Sequence, residues 1–286
     1  MFMRHEKIDL YDFFRKEKKG TGGFLTSYIH ADLSGDLGHK VFRPAILVIP
    51  GGGYGFVSGR EGEPIAEKFF SVGYNAYVLD YSVGKQCYPA PLIEAGMAML
   101  YIRETAKIAF TLKNKVAVIG FSAGGHLAGM VSLLNENAEM RGSFGSRCGE
   151  LRPDACIYSY SVVSANNEIW HQGSFENLCG EKYDFGAFSL ENEVTSSAPP
   201  AFIWATMDDG AVPARNSFVL AEAYAKAGVP CELHIYESGF HGLSTCQYDV
   251  SFDYMPSEEQ LKRVAAWMPA CFAFLKDKGF YPQRIK

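Results

Sequence analysis

Hydrophobic positions along the chain fall into two recurring patterns. Short strand-like runs, several of them continuously apolar, occupy residues 45–49, 76–81, 115–119, 155–160, 201–206 and 231–236. Continuous rather than alternating apolarity predicts strands covered on both faces. Longer runs with helical spacing lie between them, at residues 64–72, 91–109, 125–134, 214–227 and 257–278. Pro64 and Pro91 suit a first helical turn, and Gly228 suits a helix stop. Strand and helix alternate, which predicts a parallel sheet with crossover helices, an α/β fold. Residues 8–40 read as leading antiparallel strands and turns, with 26–32 the best strand candidate. No internal repeat or low-complexity linker divides the chain, so one domain over residues 1–286 is expected.

Two stretches break the alternation. Residues 135–153 are rich in Gly, Ser and Arg and read as a loop. Residues 164–198 are irregular, with Trp170, Phe175, Tyr183, Phe185 and Phe188 scattered through them. An insertion there is expected to act as a lid-like cover over the C-terminal edge of the sheet, where ligands bind in open α/β folds.

Composition narrows the function classes. The chain has 286 residues, with 32 acidic against 27 basic side chains. No basic stripe points to nucleic acid, and no polybasic cluster points to an anionic membrane. The run Arg15-Lys16-Glu17-Lys18-Lys19 is mixed in sign and reads as a solvated helix end. The longest apolar runs are strand-sized, too short to span a bilayer. The first residues contain no apolar core of a signal peptide. Seven cysteines, an odd number without a C-x-x-C pair, argue against a disulfide or metal framework. Cys156 and Cys231 fall inside strand runs and read as packed thiols. Together these features predict a cytoplasmic protein.

The stretch 115–128 carries the strongest chemistry. A β-branched strand runs into Gly120-Phe121-Ser122-Ala123-Gly124, and a helix begins directly after it. That is the context of a nucleophile elbow, in which a serine on a sharp strand-to-helix turn stands clear of the backbone. Serine is a weak nucleophile at neutral pH and needs a base held by a carboxylate. The chain offers His5, His30, His39, His126, His171, His234 and His241. His241 lies in a glycine-rich loop after the last strand run, where a base would be presented. His234 sits within a strand run. His126 follows Ser122 by four residues on a helix that leads away from it, so it is expected behind the site. For the carboxylate, Asp208 and Asp209 compete in the turn after residues 201–206. The order Ser, Asp, His is that of an α/β-hydrolase. Pro50-Gly51-Gly52-Gly53-Tyr54 follows the strand run 45–49 and offers backbone amides to an oxyanion, with the amide of Ala123 as a further donor. A phosphate-binding reading of that loop fails for want of the Gly-Lys-Ser/Thr ending.

Five segments together resemble one family. They are Pro50 to Tyr54, Arg60-Glu61-Gly62-Glu63-Pro64-Ile65-Ala66, residues 120–128, Asp208-Asp209-Gly210-Ala211-Val212-Pro213 and Phe240-His241-Gly242. They are similar to the bacterial acetyl esterases, the acetylxylan-esterase-like or BD-FAE branch near hormone-sensitive lipase, over roughly residues 40–275. The resemblance implies an α/β-hydrolase fold with helices on both faces of a mostly parallel sheet. It makes Ser122 the nucleophile, His241 the base and Asp209 the orienting acid, because the Asp-x-x-Val-Pro spacing common in the superfamily begins at Asp209. Gly52, Gly53 and Ala123 would form the oxyanion hole. Pro50 stands where hormone-sensitive-lipase relatives commonly carry His, which leaves the amide donors in place. The short N-terminal region implies a small cap and an open, shallow pocket.

The expected function is hydrolysis of short-chain acyl esters, acetyl first, on acetylated sugars or xylo-oligosaccharides. No cofactor or metal is expected, no nucleic acid or membrane partner, and a homodimer by analogy with the superfamily. Tyr54, Phe56, Tyr81 and Trp170 are candidates either for stacking on sugar rings or for ordinary packing. Two rivals remain open: an amidase or peptidase such as a formamidase on the same triad, and a catalytically silent binding module.

Overall fold

A computed structural model describes residues 3–180, 183–251 and 258–285. The chain opens with β1 (Arg4–Asp9), α1 (Leu10–Phe13), β2 (Phe24–Ile29) and α2 (Ser34–Leu37). It continues through β3 (Lys40–Ile49), α3 (Glu63–Ser71), β4 (Asn75–Asp80), α4 (Ala90–Glu104), β5 (Thr111–Phe121), α5 (Ala123–Leu133) and α6 (Ala138–Phe144). Then come β6 (Ala155–Ser159), α7 (Gln172–Leu178), β7 (Ala201–Thr206), α8 (Arg215–Lys226), β8 (Cys231–Tyr236), α9 (Glu258–Ala265), α10 (Trp267–Asp277) and β9 (Gln283–Ile285). The sheet runs β1-β2-β4-β3-β5-β6-β7-β8, with β9 pairing outside this path on β3. β1 and β2 are antiparallel, and the strands from β4 to β8 pair in parallel. This is the mostly parallel sheet that the alternation predicts, in the α/β-hydrolase form that the resemblance implies.

Both faces are covered. On β3, Ala45, Leu47 and Ile49 join one apolar cluster with residues of α4, α5 and α8. Ile46 and Val48 join the other, with Ile65 and Phe69 of α3 and Trp267 and Phe274 of α10. Alternation of side chains between two buried faces is why these runs read as continuously apolar. The same burial holds α5 together. Its three glycines, Gly124, Gly125 and Gly129, each cost about 1 kcal/mol of helix propensity relative to alanine. Leu127, Met130 and Val131 are fully buried, and each contributes about 1.5–3 kcal/mol, which offsets the glycines.

Four sequence expectations are corrected. Residues 135–153 contain a helix, α6, followed by a 3-10 turn at Gly145–Glu150. Asn137 caps α6 by accepting the Met140 amide at 3.0 Å. The long C-terminal helix is two helices, interrupted at Ala266. Pro269 lacks an N–H and its ring disfavours a continuous helix through the preceding turn. The expected start at Ser257 lies outside the described residues. The helix expected to reach residue 109 ends at Glu104. Gly228 does take the left-handed conformation just past α8, with φ 68°. The strand expected at 26–32 lies at Phe24–Ile29.

Candidate active site

Ser122 sits between the end of β5 and the start of α5, at φ 53° and ψ −122°. An L-residue adopts this conformation only where its surroundings enforce it. Here the Ser122 amide donates to Ser159 O at 3.0 Å, and its carbonyl accepts from Val162 N at 3.1 Å. The flanking glycines are sterically required. A Cβ on Gly120 would lie 2.2 Å from Gly124 O, and one on Gly124 would lie 2.2 Å from Pro50 O. The elbow therefore packs its backbone directly against the glycine loop after β3.

His241 and Asp209 meet at this serine. His241 Nε2 lies 2.7 Å from Ser122 Oγ, and its Nδ1 lies 2.8 Å from Asp209 Oδ2. The Asp209 carboxylate is inaccessible to solvent. Its Oδ1 accepts the amides of Ala211 and Val212, both at 2.9 Å, which fixes its orientation. A carboxylate only accepts, so Nδ1 carries the histidine proton and Nε2 is left to accept from the serine hydroxyl. Asp208 faces the other way. It accepts Ser238 Oγ at 2.8 Å and the Gly239 amide at 2.5 Å, and so holds the start of the His241 loop.

The glycine loop turns sharply, with φ 127° at Gly52, 61° at Gly53 and 57° at Tyr54. Gly52 O closes the turn by accepting the Gly55 and Phe56 amides. Among the described residues, the amides of Gly52, Gly53 and Ala123 donate to no protein acceptor. They remain available to an incoming oxygen, and the positive end of α5 lies at the same point. Tyr54 anchors the loop from behind. Its hydroxyl lies 2.9 Å from His126 Nδ1, and His126 Nε2 lies 2.8 Å from Phe188 O. The Phe188 carbonyl can only accept, so Nε2 carries the proton and Nδ1 accepts from the phenol. Burial pushes the His126 imidazole down to about 4, which keeps it neutral. It thus stands behind the site, as its position on α5 suggested.

A cavity of about 480 Å³ opens over Ser122 and His241. Residues 164–198 supply part of its wall through His171, Gly173 and Asn177. His171 Nδ1 lies 2.8 Å from Ser174 Oγ. Burial, reinforced by the nearby His241, holds the His171 imidazole below its usual range. Asn177 Nδ2 donates to Gly53 O at 2.9 Å and braces the glycine loop. The sequence offered His171 only as one of seven histidines, and nothing in it marked Asn177 as a site residue. Of the four aromatics considered for stacking, only Phe56 lines this cavity, and it is 62% exposed. Tyr54 and Tyr81 are buried, and Trp170 packs on Phe185. Elsewhere, His30 stacks on Phe70 and His234 pairs with Glu232 at 2.7 Å. The seven cysteines are free thiols. Among the described residues, no group of His, Cys, Asp or Glu could hold a metal, and no helix is long and apolar enough to cross a membrane.

Comparison with known proteins fits this geometry. The BD-FAE family model matches residues 32–224. The chain is 33% identical over 228 residues to endo-1,4-beta-xylanase B of Butyrivibrio fibrisolvens, covering 77% of this chain and 34% of that protein. It is 33% identical over 208 residues to the acetylxylan esterase of Xylanibacter ruminicola, covering 69% of this chain and 40% of that one. The chain thus spans well under half the length of these relatives. The crystal structure of an acetyl ester-xyloside bifunctional hydrolase from Caldicellulosiruptor lactoaceticus superposes with a TM-score of 0.79 at 32% identity, covering 98% of this chain and 99% of that one. The fold is that of a known group, and the chain belongs to the BD-FAE family, the acetylxylan-esterase-like branch of the α/β-hydrolases.

Proposed function

We propose that the chain is a serine carboxylesterase that hydrolyses short-chain acyl esters, acetyl first, with acetylated sugars or xylo-oligosaccharides as its substrate class. The observation that carries this reading is the continuous chain from Ser122 Oγ through His241 to the buried Asp209, at 2.7 and 2.8 Å. The acyl and sugar preference draws support from the names of the acetylxylan esterase and acetyl ester-xyloside hydrolase relatives.

In this reading Ser122 Oγ bonds to the ester carbonyl carbon while His241 Nε2 takes its proton. The carbonyl electron pair moves to oxygen, which meets the amides of Gly52, Gly53 and Ala123. Collapse expels the alcohol, protonated by His241, and leaves the acyl group on Ser122. Water then attacks the acyl-enzyme by the same path, giving up its proton to His241; collapse breaks the Ser122 Oγ–carbon bond, the proton passes from His241 to Oγ, and the carboxylic acid leaves. Asp209 orients the imidazole and stabilises its charged form.

A series of p-nitrophenyl esters from acetate to decanoate tests the proposal, with Ser122→Ala as control. The expected result is a rate that peaks at acetate and vanishes in the variant. A peak at long chains would contradict the short-acyl reading. Faster cleavage of the matching anilide would favour an amidase instead. The two neighbouring acids give a sharper test of the geometry. Asp209→Asn is expected to lower kcat about 10³- to 10⁴-fold, because the amide would favour the wrong histidine tautomer. Asp208→Asn should stay within about tenfold of wild type, since it touches only the backbone and Ser238. The reverse order would assign the acid to Asp208.

A further inference from the structure

The segment Arg60-Glu61 belongs to the motif that marked the family in the sequence, and neither the triad nor the oxyanion loop accounts for it. Glu61 is 3% exposed, at the end of a 3-10 turn between β3 and α3. Its Oε2 accepts the Gly51 amide at 2.8 Å. Its Oε1 accepts the Tyr160 hydroxyl at 2.6 Å. Tyr160 in turn accepts the Ser244 amide at 3.0 Å, and its ring meets the His241 ring edge-on at 5.1 Å. Arg60 engages the same loop directly. Its Nη2 donates to Gly242 O at 2.9 Å, and its carbonyl accepts Ser244 Oγ at 2.6 Å.

One carboxylate therefore joins the segments that follow three strands: Gly51 after β3, Tyr160 after β6 and, through Tyr160, Ser244 in the loop after β8. Gly51 is not remote from the chemistry. A Cβ placed on it would lie 2.8 Å from Glu61 Oε2 and 3.0 Å from Ser122 Cβ. Gly51 is also the residue before Gly52, whose amide faces the developing oxyanion in the proposed reaction. The loop it clamps on the other side is conformationally demanding, with φ 51° at Ser244 and 60° at Cys246, so it needs external contacts to hold its shape.

We propose that Glu61 is a positioning residue that sets the distance between the oxyanion loop and the His241 loop, acting on one side through Gly51 and on the other through Tyr160. The inference rests on the serine-esterase reading above. Its contribution lies in the transition state, where donors and base must be in register with one tetrahedral carbon. A misplacement of about 1 Å costs about 10²-fold in rate. Glu61 borders the cavity, but at 3% exposure with both carboxylate oxygens engaged by the protein it offers a small ester little contact, so ground-state binding should change little.

The test measures kcat and KM separately for Glu61→Gln and Tyr160→Phe on p-nitrophenyl acetate. Glu61→Gln can keep the Gly51 amide but turns a donor toward Tyr160, whereas Tyr160→Phe keeps the ring and removes the link. Active sites are counted by fluorophosphonate titration run to completion, so that misfolded protein does not enter kcat. Affinity for a small alkylboronic acid, whose serine adduct mimics the tetrahedral anion, is measured alongside. We expect kcat per titrated site to fall about 10²-fold in each variant, with KM within about threefold and boronate affinity falling in step with kcat. If kcat per titrated site stays within twofold of wild type, or kcat loss is matched by KM with boronate affinity unchanged, the proposal is overturned. A wild-type chain that neither hydrolyses the ester nor takes up fluorophosphonate at Ser122 would overturn the esterase reading itself, and would do so before any Glu61 variant is made.

Discussion

Ser122→Ala and His241→Ala are each expected to cut kcat for a short acyl ester by about 10⁴- to 10⁶-fold, and the double variant by no more than the worse single. The reason is that in the proposed mechanism one proton path serves both residues. With Oγ and Nε2 only 2.7 Å apart, neither group performs its step without the other. The remaining rate would come from the amides of the glycine loop and from substrate binding. Active-site-titrated kinetics on single and double variants provide the check. Losses that multiplied in the double variant would mean that the two side chains act in separate steps, and the hydrogen-bonded chain would lose its mechanistic meaning. A His241→Ala enzyme with near-normal turnover would transfer the role of base to another histidine, with His171 the nearest candidate in the cavity wall.

Gly124→Ala should be a severely damaging methyl group, with a backbone clash among the tightest of the described glycines. The new Cβ would sit 2.2 Å from Pro50 O and 2.3 Å from Ile49 O. These are backbone atoms at the end of a central strand and cannot rotate away as a side chain would. The expected cost is about 3 kcal/mol, which lowers Tm by about 6–12 °C for a protein of this size. Activity should be lost at temperatures where the variant is still folded, because relief of the clash must separate the elbow from the glycine loop. Gly142→Ala serves as the matched control. It lies in α6, where an added Cβ meets nothing within 4 Å, so it should be neutral or stabilising by about 0.5–1 kcal/mol. Thermal melts of the two variants side by side suffice. Equal melting temperatures would show that the elbow yields far more readily than its packing implies.

The parts of this protein that could be read in advance are those written in local sequence. The central strands announced themselves where both faces are buried, as in the apolar stretches of β3, β5 and β7, whereas β8, with Glu232 and His234 in it, is only half-buried and showed itself by its place in the alternation. Ser122 announced itself because the glycines at 120 and 124 are required by close backbone approach within the same turn. His241 stood out by its place after a strand end; the same reasoning left Asp208 and Asp209 open, and only the family resemblance favoured Asp209. What escaped depends on contacts between distant segments. Asn177 braces Gly53 from 124 residues away, and nothing near Asn177 betrays that partner. Glu61 drew notice within a motif, yet its purpose became visible only with Gly51, Tyr160 and Ser244 around it. The two missed helix features are different. Asn137 as a cap and Pro269 as a breaker were present in the sequence, and the glycine-rich and apolar surroundings outweighed them.

The braced insertion also bears on how such an enzyme could change its substrate. Asn177 and the Phe188 carbonyl tie residues 164–198 to the floor of the site, one through Gly53 and the other through His126 and Tyr54. The cavity wall is therefore not an interchangeable module. Transplanting this stretch from another member of the family would disturb the oxyanion donors unless the graft reproduced both tethers. Directed evolution of specificity should accordingly accumulate its first beneficial changes at untethered positions such as Phe56, and leave Asn177 and Tyr54 alone.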